Sequence, residues 1–180
     1  DDFVRFGELF DVYVGIVSGR ENVFHNEDLG NLDLLTGAGK VKKYILIQNF
    51  PTKDTTINDY MLKHREELKA RRIRKFNDDN WFEWGALRNY KRISGLLGRD
   101  CIYIHNLTRK KQVCFRGNVQ YFGGNLLIAV PKESVSAKIK IDCIVDYINS
   151  TEFRSNYMYS GRFKIGHRNL CNGLLPLNIL

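Results

Sequence analysis

The residues of this chain best equipped for chemistry gather between positions 71 and 92. Trp81 and Trp84, its two tryptophans, stand three apart in Asn77–Ile93, NDDNWFEWGALRNYKRI. Arg88, Asn89, Lys91 and Arg92 follow, and Arg71, Arg72, Arg74 and Lys75 lie directly upstream. Tryptophan buries a large apolar area and holds a loop in one place. Arginine offers a planar five-donor fork that fits phosphate oxygens and the edge of guanine. Aromatic anchors beside fixed positive charge suit a surface that grips nucleic acid. An aromatic core plug beside a solvated helix end accounts for the tryptophans alone equally well. The surrounding charge tips the reading toward nucleic acid.

That charge is uneven. The net charge is +8 and the pI about 9.4. Residues 1–56 carry 6 basic and 9 acidic side chains, residues 57–99 carry 11 and 6, and residues 100–180 carry 11 and 5. The later two-thirds is thus the part suited to a polyanion. At 43% hydrophobic and 12% aromatic, the 180 residues can bury a core and read as one domain. No apolar run approaches the roughly 18 residues that span a bilayer. The chain opens Asp1-Asp2 without methionine, which reads as a piece of a longer protein.

Other chemistries fail on spacing. Cys101, Cys114, Cys143 and Cys171 form no CxxC pair and sit among apolar residues. They are expected to be buried free thiols of a cytoplasmic protein, with no metal site. Leu35–Lys40, LTGAGK, lacks the first glycine and the final Ser or Thr of a phosphate loop, since Leu34 and Val41 stand there. Gly37-Ala38-Gly39 does not continue into GxGxxG, because Lys42 takes the last position. No Ser, His and Asp set emerges. Glu67-Leu68-Lys69 matches the ExK half of a metal nuclease site, but on a basic helix rather than a strand.

The elements that must position the basic residues read as follows. Leu9–Val17 is an expected buried strand, turned at Ser18-Gly19-Arg20, with Glu21–Phe24 returning as a second strand. Gly15 and Gly19 bracket the turn of a plain hairpin, or let backbone approach DNA. Lys43–Phe50 is an expected strand stopped by Pro51. Ile57–Lys75 is the most helical stretch, with caps in Thr55–Asn58. Asp100–His105, Gln112–Phe122 and Asn125–Val130 suggest three successive strands of an antiparallel meander, with Gly123-Gly124 as a tight hairpin. Arg109, Lys110 and Lys111 crowd the first connection. Ile139–Asn149 is amphipathic, and Ser150-Thr151-Glu152 starts a second helix. Gly161–Arg168 is a short basic strand or loop, and the apolar Leu170–Leu180 packs against the body.

Five motifs in this order carry a resemblance. They are Val14-Gly15-Ile16-Val17-Ser18-Gly19 with Phe24; Trp81-Phe82-Glu83-Trp84-Gly85 with Arg88-Asn89; Cys101-Ile102-Tyr103-Ile104; Gln120-Tyr121-Phe122-Gly123-Gly124; and Gly161-Arg162-Phe163-Lys164-Ile165-Gly166. The chain resembles, over nearly its whole length, the C-terminal target-recognition region of TaqI-like, adenine-specific type II DNA methyltransferases and of related fused restriction–modification enzymes. The resemblance implies a DNA-clamping domain with no cofactor of its own. S-adenosylmethionine would belong to an upstream catalytic domain, and the two together would flip the target adenine. The target site does not carry over, because recognition residues vary within that family.

The sequence therefore predicts one α+β domain of largely antiparallel sheets with flanking helices, binding double-stranded DNA. Phosphate contacts are expected from Arg71, Arg72, Arg74, Lys75, Arg109, Lys110 and Lys111. Base reading is expected from Arg88, Asn89, Lys91 and Arg92, with Trp81 and Trp84 bracing their loop. Arg162, Lys164 and Arg168 would close the far side. The rival readings are a metal-dependent nuclease built on the ExK triplet, and a specificity or interaction subunit with a docking patch near Leu170–Leu180.

Overall fold

The computed structural model describes residues 2–180. The chain begins with β1 (Phe3–Arg5), α1 (Phe6–Leu9), β2 (Phe10–Val14), α2 (Glu21–Phe24), β3 (Leu32–Gly37) and β4 (Lys40–Tyr44). Three helices follow: α3 (Thr55–Lys63), α4 (Arg65–Lys69) and α5 (Tyr90–Ser94). Next come β5 (Asp100–His105), β6 (Leu107–Thr108), β7 (Cys114–Asn118) and β8 (Leu126–Pro131). The last third holds α6 (Ile141–Ile148), α7 (Thr151–Arg154), β9 (Met158–Tyr159), β10 (Arg162–Lys164), α8 (His167–Cys171) and β11 (Leu174–Pro176). All strand pairs are antiparallel, so the fold is α+β as the sequence predicts.

The central sheet has the order β2-β8-β5-β7. Side chains alternate across a strand, so each strand feeds two cores. Phe10, Val12, Ile102, Ile104, Leu127 and Ala129 face a main core closed by Ile141, Ile144 and Ile148 of α6 and by Phe153, Phe163 and Leu170. Cys101, Tyr103, Leu126, Ile128 and Val130 face the other way, onto Leu35, Ile93 and Phe122. With both faces covered, every residue of β8 is buried. A second lobe packs β3, β4 and α2–α4 around Trp81, Phe82 and Trp84.

Several local expectations give way to packing. Glu21–Phe24 is a helical turn, not a strand, and it sends Val23 and Phe24 into the second lobe. The central strands do not form a simple meander: β8 pairs with the edge of β5 opposite β7, and β7 and β8 do not pair. Gly123-Gly124 is therefore no hairpin. Gly123 instead belongs to the seam between the lobes, where Ile16 N donates to Phe122 O, Leu35 N to Tyr121 O and Gly123 N to Leu35 O. Leu35–Lys40 is the end of β3, the turn Ala38-Gly39 and the start of β4, and Gly39 takes the turn's left-handed backbone at φ 66°, a hairpin rather than a phosphate loop. The strand expected over Lys43–Phe50 ends at Tyr44; beyond it Asn31 holds Leu46, donating from Nδ2 to its O and accepting its N–H at Oδ1.

The helix predicted to run to Lys75 starts at an Asp54 cap, which accepts from Thr56 N and Ile57 N, breaks at His64 and ends at Ala70. Arg71–Lys75 is loop. Leu170 and Leu175 are buried as expected, while Phe3, Leu174 and Leu177 are about half exposed. Cys101 and Cys114 are buried free thiols, but Cys143 is exposed and Cys171 half-buried. Burial pushes the Cys101 and Cys114 thiols up to about 12, so both stay protonated. No helix among the described residues is long and apolar enough to cross a membrane.

Candidate nucleic-acid interface

The aromatic block is a scaffold. Trp81 is 3% exposed and Trp84 1%. Trp84 packs against Phe24 and edge-on against Tyr44, and its Nε1–H donates to Ile45 O at 2.8 Å. Trp81 packs edge-on against Phe50. The loop so anchored pairs with the chain after β2: Val17 N donates to Ala86 O, and Ala86 N and Gly85 N donate back to Val17 O and Ser18 O. That pairing delivers Arg88 and Asn89 to the start of α5.

Arg71 belongs to this scaffold, which corrects its assignment as a phosphate contact. It is 8% exposed. Nε donates to Leu68 O at 2.9 Å, Nη1 to Ser18 O at 2.6 Å, and Nη2 to Trp81 O at 2.7 Å and Glu83 O at 2.8 Å. The guanidinium lies 3.8 Å from the Phe76 ring centroid. Burial, then the neighbouring Arg74 charge, pulls its pKa down to about 10, still charged at neutral pH. Arg74 is half diverted the same way, donating to Gly85 O and Trp84 O and pairing with Glu83. Arg72 and Lys75 are exposed and have no acidic partner among the described residues.

Arg88 and Asn89 open onto a groove of about 440 Å³ with Val12, Tyr13, Val14 and His167. Arg88 is exposed and unpaired among the described residues. Asn89 donates from Nδ2 to Val14 O at 3.0 Å, which fixes its amide against β2 and leaves Oδ1 open. His167 Nε2 donates to Val12 O at 2.8 Å on the far wall. Lys91 is exposed, and Arg92 lies 5.9 Å from the Tyr13 ring centroid.

The remaining predicted cations gather on a second surface. β10 pairs with β6 on one side and β9 on the other. Arg162 and Lys164 line a groove there with Gly166 and Asn169. Arg109 lies against Gly161 at the hairpin, while Lys110 and Lys111 are exposed at the tip after β6. Arg168 is exposed on α8. None of these six has an acidic partner among the described residues. His167 lines the first groove and Gly166 and Asn169 the second, so the first turn of α8 joins them.

Lys40 and Tyr159 were missed by sequence reasoning. Lys40 starts an exposed basic strand. The Lys40 stem and the His105 ring both border Gly37, and burial, then the charges of Lys110 and Lys40, holds the His105 pKa below its usual value. Nothing local signals that approach, because it depends on how the β3–β4 hairpin docks. Tyr159 is 54% exposed beside Arg162.

Elsewhere several cations are neutralised. Arg20 pairs with Glu67, Arg65 and Lys69 with Asp78, and Arg116 with Asp100 and Asp142. Glu67 and Lys69, the ExK carboxylate and lysine, are thereby engaged on α4. The His64 hydrogen bond, then Arg20, holds the Glu67 carboxyl below its usual value. Among the described residues no group of three or more His, Cys, Asp or Glu could hold a metal ion.

No family model matches the chain. In a crystal structure, the type IIG restriction endonuclease BpuSI aligns with 97% of this chain and 24% of its own, at a TM-score of 0.48 and 12% identity. The type II methyltransferase M.MjaIV of Methanocaldococcus jannaschii is 28% identical over 185 aligned residues, covering 88% of this chain. The chain spans 60% of the length of that relative. Over nearly nine-tenths of its length, then, the chain is related to a type II methyltransferase.

Proposed function

We propose that this chain is the double-stranded DNA recognition domain of a site-specific, adenine-N6 DNA methyltransferase of a restriction–modification system. The observation that carries the reading is its relation to a type II methyltransferase across 88% of its length. The geometry supports a binding role rather than a catalytic one. Unpaired cations line two grooves joined at α8, while Glu67, Asp78 and Asp100 are paired with other cations. In this reading S-adenosylmethionine would bind a separate catalytic domain, and the glycine-rich segment of this chain would serve the β3–β4 hairpin rather than a cofactor loop.

In this reading Arg88 is the foremost base-reading residue, since the tryptophan-braced loop fixes its backbone and its fork is free. Asn89, Lys91 and Arg92 flank it. Arg72, Lys75, Arg109, Lys110, Lys111, Arg162, Lys164 and Arg168 hold phosphates. Arg88→Ala is expected to relax specificity at one base pair, a loss of about 1–3 kcal/mol of discrimination there. Competition binding against single-base variants of the selected site measures it. Uniform weakening across all variants would make Arg88 a phosphate contact instead.

A further inference from the structure

The groove on the β6-β10-β9 sheet has a volume of about 750 Å³ and a chemistry that phosphate binding alone does not need. Side-chain alternation sets what faces it. Phe163 is 1% exposed and points into the main core, so Arg162 and Lys164 on either side point outward. Tyr159 lies directly across from Arg162, and Leu107 across from Lys164. Directly opposed residues share a face. The outer face therefore sets two cations on the central strand, flanked by an aromatic ring on one side and a branched aliphatic side chain on the other. Tyr159 is 54% exposed and Leu107 46%.

The polar atoms around them are free. Arg162 and Lys164 have no ion-pair partner among the described residues. Asn106 donates from Nδ2 to Gly124 O and keeps Oδ1 open, and Asn169 lines the same groove. The turn that presents Tyr159 is fixed. Ser160 and Gly161 both adopt left-handed backbone, at φ 51° and 76°, in a two-residue loop between paired Tyr159 and Arg162. Positive φ at both positions is the geometry of a type I′ hairpin, and serine seldom takes it. Such local strain, held by surrounding structure, accumulates at functional sites.

We propose that this groove holds one unstacked nucleotide of the bound DNA. Its base stacks on Tyr159 and packs against Leu107. The amides of Asn106 and Asn169 meet the base edge, and Arg162 and Lys164 hold its phosphate. A continuous phosphate track requires cations only, whereas a single splayed nucleotide requires a π surface, a hydrogen-bonding edge and a counter-charge together. The inference rests on the duplex-recognition reading and adds to it a site for a base removed from the stack.

The test compares binding of the purified chain to a continuous duplex and to the same duplex carrying a one-nucleotide bulge. Stacking on one aromatic ring corresponds to about a 5- to 150-fold gain in affinity, so the bulged duplex is expected to bind tighter by a factor in that range. In Tyr159→Ala the ratio of the two affinities falls to near one, and in Tyr159→Phe, which keeps the ring, it persists. Equal binding of both duplexes by the unmodified chain overturns the proposal, as does a preference that survives Tyr159→Ala. Binding of the bulged duplex alone supports the groove and removes the duplex-recognition reading. Binding of neither removes both.

Discussion

Arg71 shows how a side chain can look like a nucleic-acid contact in sequence and be a structural brace in the fold. Its guanidinium donates to carbonyls at positions 18, 68, 81 and 83, so three separate stretches of chain meet at one charge. Removing it leaves four carbonyls to find water inside a packed lobe. Hydrogen bonds to a charged donor contribute about 1.5–3 kcal/mol each, and water recovers part of that loss, so Arg71→Ala is expected to cost about 3 kcal/mol. In a domain of this size that lowers Tm by about 6–12 °C in a thermal melt. Arg72 is the contrasting neighbour. It is exposed, and Arg72→Ala is expected to change stability by less than about 0.5 kcal/mol. If both arginines contact phosphate and neither braces the fold, the two variants will melt alike.

At the scale of elements, the critical feature is the seam where the chain after β2 crosses the segment before β8. A Cβ on Gly15 would sit 2.1 Å from Gly123 O and 2.9 Å from Phe122 O, both backbone atoms that cannot rotate away. Gly15→Ala must therefore push the lobes apart and strain the Ile16 N to Phe122 O bond. Overpacking of this kind costs about 1–3 kcal/mol, measurable as a lower urea midpoint with an unchanged slope. An unchanged midpoint would mean the crossing is looser than described.

The same seam marks where sequence reading stops. Strands rich in β-branched and aromatic residues, such as Asp100–His105, were legible because a short apolar run of that kind is a local signal. So was the apolar stripe of Ile141, Ile144 and Ile148 on α6. The order of β8 and β7 about β5 was not, because it depends on long-range pairing. The end of the basic helix was missed for a related reason. Nothing local to Ala70 or Arg71 announces four carbonyl partners, three of them between 10 and 53 residues away. Of the candidate site, the identity of the cations was legible; which of them are free, and their meeting at α8, was not.

For the whole molecule, the charge polarity of the sequence survives folding in a more useful form. Glu67, Asp78, Glu83, Asp100 and Asp142 pair with Arg20, Arg65, Lys69, Arg74 and Arg116, while the two grooves and the tip after β6 carry cations with no acidic partner among the described residues. Such a surface raises the local concentration of a polyanion and makes binding salt-dependent, but charge alone reads no sequence. Sequence reading would come from the braced Arg88 loop and from any base drawn out of the stack. The chain spans 60% of the length of the methyltransferase to which it is related.

The most direct test of the central claim is selection of bound duplexes from a random-sequence pool over several rounds, with the winners titrated against salt. The account predicts enrichment of one short motif that keeps its advantage over unselected DNA as salt is raised. Binding without enrichment, with an affinity that collapses steeply in salt, would contradict it and leave only a basic surface that grips phosphate.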